Sequence, residues 1–331
     1  MIKIGIIGFG FMGNMHASCY KQIPGAKITS VAGLKNESDA EVLGKDVEIF
    51  ESGIDLIEKG DVDVVDICLP TFLHTSHAVA AMKNGKHVFL EKPVCLTRED
   101  CELLLRTQKE TGAIVQVGHI VRFLDEYKYI KDVYDRREYG EILSATFRRR
   151  SAHPAWTFNN WLHDPAKSGT VVHDLHIHDA DFVRYLLGDP ERFTASAARD
   201  KHGLISHFFS TFHYGNVCVS FEAGWDFPED LPFDAAFCVR FEKATFVYDS
   251  NGFKVYYEGG GHEDVVIKNE FEAKTDLGGN ISDLGGYYNE LKYFIDKIAG
   301  GQEPEIAPLS EGVKSVLLML DEVESVGGAK I

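Results

Sequence analysis

Cysteine, positive charge and long apolar runs are all scarce in this sequence. Only six of 331 residues are cysteine (Cys19, Cys68, Cys95, Cys101, Cys218 and Cys238), and no two form a CxxC pair. A disulfide scaffold or zinc ribbon is therefore not expected, and several of these thiols sit inside apolar runs, as small hydrophobes in a reducing compartment do. No apolar run approaches the ~18 residues that a membrane span needs. The apolar start, Met1 to Phe11, carries glycines and no cleavage-like site, so it reads as a buried first strand rather than a signal segment. Against 51 Asp and Glu there are 34 Lys and Arg, a formal net charge of -17. Such a surface repels phosphate backbones and anionic lipid, which argues against nucleic-acid and membrane partners while still permitting a local pocket for an anionic cofactor. Internal repeats, low-complexity tracts and long linkers are missing as well. The expected address is the cytoplasm.

What is present is an ordinary globular mixture, 44% hydrophobic and 26% charged, long enough for two cores. In the first third, buried strands are expected at 3–7, 28–32, 62–68, 87–90 and 114–117. Helical periodicity runs between them at 12–22, 74–84 and 98–111, with Thr97 as a cap for the last. Strand and helix in alternation predict a doubly wound parallel sheet of the Rossmann type over residues 1–120. A helix at 124–136 follows, and then the texture changes. Strand patterns succeed one another at 142–150, 193–198, 205–214, 217–225, 234–241, 244–249 and 252–257, interrupted by one helix at 171–187. Two more helices, 287–299 and 309–325, close the chain. Residues 121–331 thus read as an α+β domain with a large, mostly antiparallel open sheet, its final helix free to pack back on the first domain.

Gly8-Phe9-Gly10-Phe11-Met12-Gly13 follows the first strand and opens the first helix. Glycines at this spacing allow a tight turn, close approach of a pyrophosphate to the backbone, and close helix–strand contact. The pyrophosphate then meets unpaired N–H groups at a helix N-terminus. An acid is expected at the end of the second strand to accept from the ribose, but the sequence there is Gly33-Leu34-Lys35-Asn36. Leu34 cannot bond a ribose and Lys35 can neutralise a 2′-phosphate, which tilts the cofactor towards NADP. NAD held through the backbone and Asn36 is the other option. Further on, Glu91-Lys92-Pro93 ends a strand at the sheet edge where ligands bind in such folds. Asp174 and His178 stand four apart on one helix and share a face, while His176 points elsewhere. His163, His173, His176 and His178 lack a three-ligand spacing, and no metal is expected. Arg148-Arg149-Arg150 alternates along a strand and reads as a salt-bridged sheet surface.

In order and spacing these pieces resemble the Gfo/Idh/MocA family, which includes glucose-fructose oxidoreductase and inositol dehydrogenase. The resemblance covers essentially the whole chain. It rests on the GxGxxG run, Pro70-Thr71 with His74, Glu91-Lys92-Pro93, Gly118-His119 to Arg122-Phe123, Trp161 to Asp164, Ser168-Gly169, and Asp174 with His178. Thr170 departs from it, since many members carry a second glycine there, and so does the missing acid at Leu34. The resemblance implies an NAD(P)-dependent dehydrogenase or reductase acting on a secondary alcohol of a sugar, cyclitol or related polyol. It implies Lys92, Asp174 and His178 as the catalytic set. The cofactor set is Gly8 to Gly13, Leu34, Lys35, Pro70, Thr71, His74, Glu91 and Lys92. His119, Arg122 and Trp161 are substrate candidates, with a hinge role open for His119 and Arg122 and a core role for Trp161. A homodimer or homotetramer through the open sheet is implied. Two rivals remain: glycoside cleavage by transient sugar oxidation on retained NAD, and a non-catalytic cofactor sensor.

Overall fold

A computed structural model of the chain describes residues 1–34, 43, 46–154, 157–267 and 284–327. The chain forms two compact units, Met1–Phe123 with Glu270–Lys314, and Leu124–Asn269 with Ser315–Ile331.

The first unit holds six parallel strands: β1 (Ile2–Ile7), β2 (Ala26–Ala32), β3 (Glu48–Phe50), β4 (Val64–Ile67), β5 (His87–Glu91) and β6 (Val115–Gly118). Their order is β3-β2-β1-β4-β5-β6, so the winding reverses between β1 and β4. In such sheets a crevice opens beyond the carboxyl ends of the strands at that reversal. β4 and β6 are buried along their whole length, as strands with helices on both faces must be. The helices are α1 (Phe11–Tyr20), α2 (Gly53–Lys59), α3 (His74–Lys83) and α4 (Arg98–Thr111). Thr97 accepts from the Asp100 N–H at 3.1 Å and starts α4, and Gly112, in the left-handed region at φ +68°, stops it. Neither β3 nor α2 is expected from the pattern of the chain; β3 is three residues long with two of them exposed.

The helix Gly285–Gly300 belongs to this unit, although its sequence position groups it with the second domain. Leu291, Phe294 and Ile295 bury themselves in one core with Ile4, Met15, Val31 and Phe89. Burying an apolar side chain contributes about 1.5–3 kcal/mol, and this face carries several. The last helix, Leu309–Ser325, starts in the first unit and is assigned to the second from Ser315 onward.

The second unit is built on an eight-stranded sheet: β7 (Ile142–Ala152), β8 (Arg192–Arg199), β9 (Ile205–Tyr214), β10 (Val217–Phe227), β11 (Asp234–Phe241), β12 (Ala244–Asp249), β13 (Gly252–Tyr257) and β14 (His262–Asp264). Its order is β14-β13-β12-β11-β7-β10-β9-β8, antiparallel except where β7 and β10 run side by side in parallel. Helices α5 (Asp125–Asp135) and α6 (Ile177–Leu187) contribute Tyr127 and Phe182 to an aromatic core with Phe147 and Phe237 of the sheet.

The three consecutive arginines of β7 split by strand alternation. Arg148 pairs with Asp234 at 2.7 Å and Arg150 with Glu222 at 2.6 Å, the salt-bridged sheet surface expected. Arg149 points the other way and is buried against Asp179 of α6 at 2.8 Å, with a further bond to the Tyr127 hydroxyl. Burial of that middle arginine was not anticipated.

Candidate active site

The glycine-rich turn is built as its chemistry requires. Gly8 takes φ +91°, and a side chain there would meet the Cys68 carbonyl at 2.6 Å. A Cβ on Gly13 would sit 2.2 Å from the Gly8 carbonyl, so the turn and the first helical turn can close only on glycine. Gly10 is the N-cap of α1 and offers no side-chain cap, and no acidic residue lies in the first turn. A helix start of this kind directs N–H groups towards an anion, and no carboxylate of the first turn competes for them. This cradle fits a dinucleotide pyrophosphate, and Phe11 and Met12 are half-buried beside it. The Phe9 side chain is fully buried in the core, so only its backbone lies at the turn.

At the ribose end, Leu34 is half-buried against the apolar core. Lys35 and Asn36 lie outside the described residues. Pro70 precedes a short 3-10 turn, Thr71–Leu73, in which Thr71 is buried. His74 is buried too, and both its ring nitrogens lie on backbone carbonyls, Leu69 at 2.7 Å and Pro93 at 2.8 Å. It ties the segment after β4 to the segment after β5, so neither ring nitrogen is left for direct cofactor contact. Burial lowers its pKa.

β5 ends in Glu91, and the Lys92–Pro93 peptide bond is cis. Lys92 is half-buried at the carboxyl end of the sheet. Its backbone N–H donates to the Glu91 carboxylate at 3.2 Å. His119 and Arg122, both expected as substrate contacts, are almost wholly buried. The Arg122 guanidinium donates to the Ile306 carbonyl, which makes it a strut within the first unit rather than an open binding group.

In the second unit the expected helix at 171–187 begins with a π-turn, Val172–His176, and continues as α6. Single π-turns inside helices recur at functional sites. From Thr170 to Val183 every residue is buried except Asp174, Leu175 and His178, which are half-buried. The acid and the histidine are thus two of the three positions at which this run is partly open. The neighbouring histidines have structural roles. His176 bonds Glu322 at 3.0 Å and sits among Phe208, Phe212 and Phe221. His173 bonds the Gly169 carbonyl at 2.9 Å, and burial pulls its pKa down to about 4. Trp161 is half-buried in a 3-10 segment, Phe158–His163, where Asn159 and Asn160 have positive φ. Lys92 belongs to the first unit, and Asp174 and His178 to the second.

Thr170 occupies the left-handed region at φ +68°, is buried, and has no partner for its hydroxyl among the described residues. A β-branched residue is strained there, which explains why glycine suits this position. Relieving strain of this kind outweighs the added freedom of the unfolded chain, so Thr170→Gly is expected to raise unfolding stability by about 1 kcal/mol. A thermal melt checks this.

Comparison with known proteins agrees with the two halves of this architecture. Residues 2–119 match the model described as an oxidoreductase family with an NAD-binding Rossmann fold, and residues 127–247 match the GFO/IDH/MocA C-terminal domain. The chain belongs to the Gfo/Idh/MocA oxidoreductase family. Among its relatives, the myo-inositol 2-dehydrogenase of Thermotoga maritima is 27% identical over 96% of this chain and 94% of its own. The 2,7-anhydro-N-acetylneuraminate hydratase of Escherichia coli (strain K12) is 33% identical over 59% of this chain. That match spans about half of the hydratase, 52% of its length. A levoglucosan dehydrogenase solved with NADH and levoglucosan shares the fold at a TM-score of 0.86 and 21% identity, covering 98% of this chain and 97% of that one. Among the described residues no helix is long and apolar enough to cross a membrane.

Two features of this family member escaped the sequence reading. The π-turn has no periodicity signal distinct from an α-helix over five residues. The buried group of His16, Asp66, Glu91 and Glu290 draws its members from four elements. Its one sequence signal is an acid, Glu290, on the apolar stripe of the Gly285–Gly300 helix, beside Leu291 and four residues before Phe294.

Proposed function

We propose that this chain is an NAD(P)-dependent dehydrogenase or reductase acting on a secondary alcohol of a sugar, cyclitol or similar polyol. The observation that carries the reading is a glycine cradle in the first unit built for a dinucleotide, and the second unit by itself carries an acid and a histidine at half-buried positions of a buried helical run. Gly8 to Gly13 would hold the pyrophosphate, and the segment from Pro70 and the end of β5 would serve the nicotinamide end. When bound, the cofactor supplies nicotinamide C4 as the hydride acceptor or donor. His178 moves the hydroxyl proton, which suits an imidazole near neutrality, and Asp174 orients it or accepts from a neighbouring substrate hydroxyl. Lys92 hydrogen-bonds the reacting oxygen and stabilises its developing negative charge.

Dense polar donors favour a hydroxylated ring over a fatty chain, in line with the inositol and anhydro-sugar names of the relatives. The missing acid at Leu34, with Lys35 next to it, supports use of NADP alongside NAD. The ion-paired outer face of the second unit's sheet, with Phe209 46% exposed on it, is the proposed surface for self-association. The cytoplasm is the proposed location.

The test is a panel of cyclitols, monosaccharides and anhydro-sugars assayed with NAD and NADP separately. Reduced nicotinamide is expected with at least one ring polyol, and none across the panel would sink the dehydrogenase reading. The hydratase relative favours a second reading, in which a sugar is oxidised only transiently on retained cofactor. Product formed without net nicotinamide reduction supports that one.

A further inference from the structure

Around Glu91 lies a polar cluster whose other members, His16, Asp66 and Glu290, none of the roles above uses. His16 of α1 donates from Nδ1 to Asp66 of β4 at 2.8 Å, and its Nε2 lies 3.3 Å from Glu91 Oε1 of β5. Glu290, from the Gly285–Gly300 helix, brings a carboxylate oxygen within 4.8 Å of both the His16 ring and the Glu91 carboxylate. Glu290 is fully buried, and neither of its oxygens has a hydrogen-bond partner among the described residues. The pocket is shaped for these carboxyls: a Cβ on Gly118 would come 2.7 Å from Glu91 Oε1. The Gln116 side chain holds the Glu290 backbone carbonyl at 3.0 Å, fixing the helix against β6.

Among the described residues, three acids converge here with one histidine, and no lysine or arginine belongs to the cluster. The titratable groups among the described residues that face Glu290 are His16, Cys19 and Tyr20 on α1, Asp66 on β4 and Glu91 on β5. One imidazolium answers at most two carboxylates. A third charge in a buried space is costly, and the usual escape is neutralisation by a proton.

We propose that Glu290 stays protonated and donates to Glu91, and that this buried carboxyl pair is a positioning device for the Glu91-Lys92 segment. The proposal deepens the dehydrogenase reading and rests on it for its kinetic consequence only. Burial first, and then the neighbouring Glu91, push the Glu290 carboxyl well above the usual range. Burial opposes a charged His16, yet the Asp66 carboxylate overcomes it and holds the imidazole well above the usual histidine value. A neutral Glu290 can give its hydrogen to Glu91, whose other oxygen accepts the Lys92 backbone N–H. Loss of the proton sets two carboxylates against each other and displaces the residue to which Lys92 is anchored.

The sign for stability follows from where the proton binds more tightly. The folded carboxyl keeps it and the unfolded one does not, so this contribution is present below the ordinary carboxylate range and is lost as pH rises through the folded value.

The test compares wild type with Glu290→Gln and Glu290→Leu. Infrared spectra at neutral pH should show a carboxylic-acid C=O stretch in the wild type that is missing from Glu290→Gln, whose other carboxylates are unchanged. The fall of melting temperature with rising pH should be shallower in Glu290→Gln. In the polyol assay, Glu290→Leu is expected to lose about tenfold in kcat with little change in KM, Glu290→Gln to recover most of it, and the alkaline fall in rate to disappear in Glu290→Gln. An infrared band that survives Glu290→Gln overturns the proposal, as does a stoichiometric metal ion in the purified protein bound by these carboxylates. An alkaline limb identical in wild type and Glu290→Gln overturns the link to Lys92. If no polyol is oxidised at all, the dehydrogenase reading fails, while the infrared and melting results still decide whether Glu290 holds a proton.

Discussion

His178→Ala and Lys92→Ala are each expected to lower turnover by at least ~100-fold while changing NAD affinity by no more than about twofold. A hundredfold loss corresponds to about 2.7 kcal/mol of transition-state stabilisation, the size expected for removing a proton acceptor or a charged hydrogen-bond donor at the reacting oxygen. The pyrophosphate cradle depends on Gly8 and Gly13, which neither substitution touches. His178 is one of three half-buried positions in an otherwise buried run, so its side chain can be trimmed without opening a core cavity. Lys92→Arg should not restore the rate, because a planar guanidinium is not equivalent to a compact ammonium at a point of charge development. Steady-state rates together with cofactor titration by nicotinamide fluorescence check both parts. Near-wild-type rates in either alanine variant would remove that residue from the proposed mechanism.

The second large effect concerns the second unit's fold. Arg149→Leu, which leaves Asp179 charged and buried, is expected to destabilise the protein by about 3–5 kcal/mol. The pair is bidentate, with Nε to Oδ2 at 3.1 Å and NH2 to Oδ1 at 2.8 Å, and the Tyr127 hydroxyl also donates to Asp179 at 3.2 Å. Side-chain exposures of 7% and 4% mean that water cannot take the place of the lost partner. The melting temperature should fall on the order of 10 °C. Replacing both residues, Arg149→Leu with Asp179→Leu, should recover much of the loss, because no unpaired charge then remains buried. A double variant no more stable than Arg149→Leu alone would mean that the aromatic layer of Tyr127, Phe147 and Phe237, and not the ion pair, sets the stability there.

Much of this was legible because local signals agree with the fold. Residues 98–111 form the expected helix to the residue, since Thr97, Asp100 and Gly112 mark both ends. The strands of the second sheet from Asp234–Phe241 to Gly252–Tyr257 also fall where alternation and turn residues place them. Non-local packing left weaker traces. Nothing in the Gly285–Gly300 stretch says which sheet its apolar stripe will cover, and the parallel pairing of β7 with β10 cannot be read from strand composition. Side-chain burial was the other blind spot. Arg122 and His74 look like binding groups in sequence, yet the first holds the Ile306 carbonyl and the second bridges two loop carbonyls. An arginine or histidine pattern records donor capacity, and only the fold decides whether that capacity faces a ligand or the backbone.

Hydride transfer itself can be followed directly. A ring polyol accepted in the panel, carrying deuterium on its carbinol carbon, should deliver that deuterium to C4 of the nicotinamide in step with product formation, as read by NMR of the isolated cofactor. Turnover that yields product while the released nicotinamide carries no deuterium would contradict the account.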